Sequence, residues 1–89
     1  MFDSVIVTVR AKDAPFSVDL DIPAQEPLGE LKTKLLEILR MLNERIFAGW
    51  PDINLVDARG DRLLMPEQTL EEAGIWDGAV LYVIKGRGV

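Results

Sequence analysis

Cysteine and histidine are both missing from this 89-residue chain. Without cysteine there is no disulfide framework, no thiol nucleophile and no thiolate metal site. Without histidine there is no His-dependent triad, zinc site or phosphorelay within the chain. No apolar run approaches bilayer length; the longest is Ala79-Val80-Leu81-Tyr82-Val83-Ile84. Basic residues are the minority charge, Lys plus Arg 10 against Asp plus Glu 15, for a net charge of −5. A basic face for phosphate is therefore lacking, which excludes nucleic acid as the main partner and disfavours adhesion to anionic lipid. Met1-Phe2-Asp3-Ser4 shows neither the basic nor the apolar region of a signal peptide. The expectation is a cytoplasmic protein without direct membrane insertion. No cofactor or metal is expected.

What is present is enough apolar material for one core. Hydrophobic residues make up 48% and charged residues 28%, an ordinary balance for a globular chain. The length allows one domain, residues 1–89, with residues 86–89 expected as a flexible C-terminal tail.

From Val5 the chain alternates, with Val5, Val7 and Val9 on one face and Ile6, Thr8 and Arg10 on the other. This is a strand pattern rich in β-branched residues. After a turn at Lys12-Asp13-Ala14-Pro15, Phe16, Val18, Leu20 and Ile22 alternate with Ser17, Asp19 and Asp21. The two runs predict a hairpin. Between Leu28 and Asn43 the period changes to 3.6 residues. Leu28, Leu31, Leu35, Ile38 or Leu39, and Leu42 form an apolar stripe, with Leu36 and Met41 off its centre. Ile53–Asp57 reads as a short strand, Ala58-Arg59-Gly60-Asp61 as a turn, and Leu63-Leu64 as a brief return. Thr69 with Glu72 has the spacing of a capping box, and Gly74 is placed to end that turn in the left-handed region. Ala79–Lys85 is apolar on both faces and should be central. The sum is an α+β chain of order β-β-α-β-β, with a short helical turn before the last strand. One helix covers one face of a mixed sheet, and the first and last strands pair at its centre, a β-grasp arrangement.

These residues resemble ubiquitin and its relatives across nearly the whole chain. More narrowly, the chain is similar to the YukD/EsaB branch, small ubiquitin-fold proteins of bacterial type VII secretion, and to the ubiquitin-like domain of EccD membrane components. The resemblance is carried by Asp19-Leu20-Asp21-Ile22-Pro23, Pro27-Leu28, Leu31, Trp50, Gly60 with Leu63, and Thr69-Leu70-Glu71-Glu72-Ala73-Gly74-Ile75 followed by Asp77-Gly78 and Leu81. It implies a non-enzymatic interaction module, an accessory or scaffold component of secretion whose partner is a protein of the machinery. It also implies that Leu81 points inward, which sends Val80, Tyr82 and Ile84 to the open face. Ubiquitin and its activatable relatives end in Gly-Gly, whereas this sequence reads Lys85-Gly86-Arg87-Gly88-Val89. A modifier role would therefore require C-terminal trimming, and stands as the alternative.

Ile6, Thr8, Val56, Tyr82 and Ile84 are thus the expected contact residues for a protein partner or a second copy of the chain. The bland alternative is that they are isolated β-formers, or that the helix covers this face instead. Trp50 is expected as a lid over one end of the core. Trp76, in a turn with little to pack on, joins the contact set. The carboxylates of Asp19 and Asp21 fit the polar side of an edge strand better than acid–base chemistry. Ser4 and Ser17 have no histidine to activate them. Arg59, Arg62, Lys85 and Arg87 are read as solvated charge.

Overall fold

A computed structural model describes residues 3–87. Its elements are β1 (Ser4–Ala11), β2 (Ser17–Pro23), α1 (Leu28–Leu42), α2 (Glu44–Phe47), β3 (Ile53–Asp57), β4 (Arg62–Leu63) and β5 (Val80–Lys85). The strands form one sheet in the order β2-β1-β5-β3-β4. β5 runs parallel to β1 and antiparallel to β3, so the strand that is apolar on both faces lies at the centre. This is the mixed β-grasp sheet expected from the pattern.

The inner face is built by alternation. Val5, Val7, Val9, Leu55, Leu81 and Val83 are all buried beneath α1. From the helix, Leu28, Leu31, Leu35, Leu36 and Leu39 meet them. Leu42, expected at the end of the stripe, is instead exposed, and Leu36, expected off centre, is buried. The cause is where the helix ends. At Asn43 the chain turns into α2, so Leu42 lies past the sheet with nothing to cover, while the buried stripe broadens toward Leu36.

α2 has no counterpart in the sequence-based expectation. Asn43 starts it, its Oδ1 accepting from the Ile46 N–H at 3.2 Å. The element delivers Phe47, fully buried and edge-on to both Phe16 (5.0 Å between centroids) and Trp50 (4.8 Å). Trp50 is therefore the expected lid, half-buried over the core end. The Arg40 guanidinium donates to the Phe47 and Trp50 carbonyls, tying α1 to this corner.

No side chain caps α1 at Pro27. Its orphan donors are met from a distant loop: Leu28 N–H donates to Gln68 O (2.8 Å) and Gly29 N–H to Pro66 O (2.9 Å). The following turn forms the expected capping box in both directions. Glu72 N–H donates to Thr69 Oγ1 (3.1 Å) and Thr69 N–H to Glu72 Oε1 (2.9 Å). Gly74 ends it at φ +76°, a conformation that costs a glycine nothing.

Gly86, expected as the first residue of a flexible tail, is instead held in place. Gly86 is buried and donates to Asp52 O at 2.8 Å, closely enough that an added Cβ would lie 3.0 Å from the Asp52 Cβ. Gly88 and Val89 lie outside the described residues.

Candidate functional site

The sheet register decides which side chains share the face away from α1. Thr8 pairs with Val80 and Arg10 with Tyr82 across β1 and β5. Val56 pairs with Tyr82 and Asn54 with Ile84 across β3 and β5. Leu63 of β4 stands opposite Val56. Directly paired residues project to the same side. Ile6, Thr8, Val56, Tyr82 and Ile84 therefore share one face, and α1 does not cover it.

Their exposure differs in an informative way. Ile6 is 54% exposed, while Tyr82 and Ile84 are half-buried in the middle of the sheet. Val56 faces the same side but is only 6% exposed, which corrects its expected role as a contact residue. A small side chain held between Leu63 and Tyr82 is shaded by both, so it forms the floor of the face. Leu63 takes its place at the surface, at 50% exposure. The sequence pattern did not place it in the contact set. Leu63 and Leu64 are adjacent and chemically alike, and only the pairing with Val56 sends Leu63 outward and leaves Leu64 buried.

Trp76 is 64% exposed. Its loop is pinned beside Ile6 by two bonds: Ile6 N–H donates to Asp77 Oδ1 (2.7 Å), and Gly78 N–H donates to Ile6 O (2.8 Å). The loop that carries Trp76 therefore lies at the Ile6 end of the face. Between this loop and the segment from Asp57 to Arg59 lies a hollow of about 470 Å3.

Charge frames the apolar strip unevenly. Asp19 and Asp21 line its β2 side, with Thr8 Oγ1 donating to Asp19 Oδ1 at 2.6 Å. At the Tyr82 end stand Arg10 and Lys12, whose Nζ lies 5.9 Å from the ring centroid and 3.2 Å from Asp61 Oδ1. Arg62 is not free solvated charge. It pairs with the buried Asp57 carboxylate at 3.1 Å and donates to the Ala73 carbonyl, bracing β4 against the capped turn. Among the described residues no three acidic side chains gather in a way that could hold a metal ion. No described helix is long and apolar enough to cross a membrane.

Comparison with protein-family models matches residues 4–83 to the model described as WXG100 protein secretion system (Wss), protein YukD. The chain belongs to the YukD family. No curated protein matches it at significant similarity. Among solved structures, this YukD-family chain is similar to the ubiquitin-like domain of the Mycobacterium tuberculosis type VII secretion system protein ECCD1. The TM-score is 0.73 at 21% identity, covering 93% of this chain and 99% of that one. It is also similar to part of a chain in the MycP5-free ESX-5 inner membrane complex, with TM-score 0.74 at 20% identity, covering 98% of this chain and 22% of that one. A third likeness is to Caldiarchaeum subterraneum ubiquitin, with TM-score 0.69 at 17% identity, over 93% and 94% of the two chains. The family match points to a type VII secretion component, and the structural likenesses fix the ubiquitin-like fold.

Proposed function

We propose that this YukD-family domain is a non-enzymatic docking module of a type VII secretion apparatus, working at the cytoplasmic side. Its open sheet face is the surface that binds a protein component of the machinery. One observation carries the reading: an apolar strip of Ile6, Tyr82, Ile84 and Leu63, with Trp76 at its end, stays uncovered on the sheet's central and neighbouring strands. A sheet covered on one side ordinarily presents polar residues on the other. An apolar strip rimmed by Asp19, Asp21, Arg10 and Lys12 is the pattern of a protein contact surface. The ring of Tyr82, amphipathic and flanked by two cations, suits the role of anchor. The non-enzymatic reading rests on a chain with no histidine or cysteine. The likeness to a domain within an inner membrane complex supports a partner in such an assembly.

The test is Tyr82→Glu in a cell that depends on the protein for secretion. Loss of a buried aromatic anchor typically costs about 2 kcal/mol or more, over tenfold in affinity. Secretion of the system's WXG100 substrates should fall sharply while the cellular level of the variant stays normal. Wild-type secretion at normal protein level would remove Tyr82 from the docking surface and the reading with it.

A further inference from the structure

The sheet has one long unpaired edge, β2. The bonds Ala11 N–H to Phe16 O and Ala24 N–H to Asp3 O fix which residues of this strand bond to β1. With the period of two, Val18, Leu20 and Ile22 turn their backbone groups toward β1, and Ser17, Asp19 and Asp21 turn theirs outward. Among the described residues no backbone partner meets these outward groups. Edge strands of this kind template the addition of another strand unless they are blocked.

Two further features say what would fit there. The inner face of β2 is incompletely roofed by α1. Val18 and Leu20 are only half-buried, and Ile38 on the helix is 43% exposed. A hollow of about 150 Å3 lies between Leu20 and Ile38, with Leu31 and Leu35 on its apolar side and Glu26 and Lys34, which pair with each other, also lining it. A volume of that order admits a group the size of a benzene ring. On the other face of the same strand, Asp19 and Asp21 are exposed. An added strand would thus send alternate side chains into an apolar slot and the intervening ones beside two carboxylates.

We propose that the β2 edge takes up an extended segment of a partner protein, with β-branched or aliphatic residues at alternate positions and Lys or Arg between them. The same acids argue against a second copy as occupant. Two β2 edges set side by side would place Asp19 and Asp21 against their counterparts, in chains that each carry a net charge of −5. This surface shares Asp19 and Asp21 with the rim of the apolar strip around Tyr82 but lies at the sheet edge, and it does not rest on the reading given to that strip.

The test is an NMR titration of the isotope-labelled full chain with the capped peptide acetyl-Lys-Val-Arg-Ile-Lys-Val-amide. Saturable shifts should appear at Leu20 and Ile38. Amide exchange should slow by about tenfold or more at Ser17, Asp19 and Asp21, but not at Val18 and Leu20, whose amides already bond to β1. The same peptide with glutamate in place of its basic residues should bind at least about tenfold more weakly. That comparison leaves the domain untouched, so it holds whatever a variant does to folding. Ile38→Glu, at a half-exposed site, should likewise weaken binding. No saturable shift at millimolar peptide, equal binding of the acidic peptide, or shifts confined to Tyr82 and Ile84 would each overturn the proposal.

Discussion

Phe47→Ala should cost the domain about 3–5 kcal/mol, the largest single loss we expect from any one side chain. Phe47 is fully buried and its ring stacks edge-on against both Phe16 and Trp50. Truncation removes the transfer free energy of a phenyl group and leaves a cavity. It also ends two edge-to-face contacts, each worth about 0.5–1.5 kcal/mol beyond area burial. A domain of this size is held by only about 5–10 kcal/mol, so the variant should be marginal at 37 °C. Urea unfolding at 25 °C should show a much lower midpoint with little change in slope. A loss under about 1 kcal/mol would mean that Trp50 and Phe16 close over the gap and that the corner formed by α2 carries little of the core.

The second expected result concerns neighbours on β5. Leu81 is fully buried and pairs with Val9 on one side and Asp57 on the other. Leu81→Ala should cost about 2–5 kcal/mol. Tyr82, one residue on, is half-buried on the open face beside Arg10. Tyr82→Glu gives up cross-strand packing over Val56 and gains a carboxylate next to a cation. The net cost should be about 1 kcal/mol or less. Thermal or urea melts of the two variants separate the outcomes. If Tyr82→Glu unfolds the domain and Leu81→Ala does not, the facing of β5 is shifted by one residue, and every assignment to the open face shifts with it.

How much of this could be read from the sequence depends on the range of the interaction involved. The alternation of Val5, Val7 and Val9, the long stripe of α1, the capping box at Thr69 and Glu72, and the two-sided apolarity of β5 are local signals. Each reappears in the structure. The placement of β5 between β1 and β3 follows from that apolarity, since only a central strand of a covered sheet can use it. What local pattern did not carry was set by contacts distant in sequence. α2 is too short for a helical period to register, and Asn43 beside Glu44 was its only trace. Leu42 falls outside the core because the chain leaves the helix there, which no periodicity reports. Val56 has the side assigned to it but not the exposure, because shading by Leu63 and Tyr82 depends on pairing across three strands. Gly86 is held by Asp52, a residue just ahead of β3 that tail composition could not reveal.

The most direct measurement is site-specific photo-cross-linking in the secreting cell. Tyr82→p-benzoylphenylalanine places the reactive group on the open face, and Glu37→p-benzoylphenylalanine places it on the exposed side of α1 as a control. The proposed docking mode predicts a discrete adduct from position 82, identified by mass spectrometry as a protein component of the secretion machinery, and no such adduct from position 37. An adduct from position 37 alone, no adduct from position 82, or an adduct from position 82 only with a second copy of the chain would contradict it.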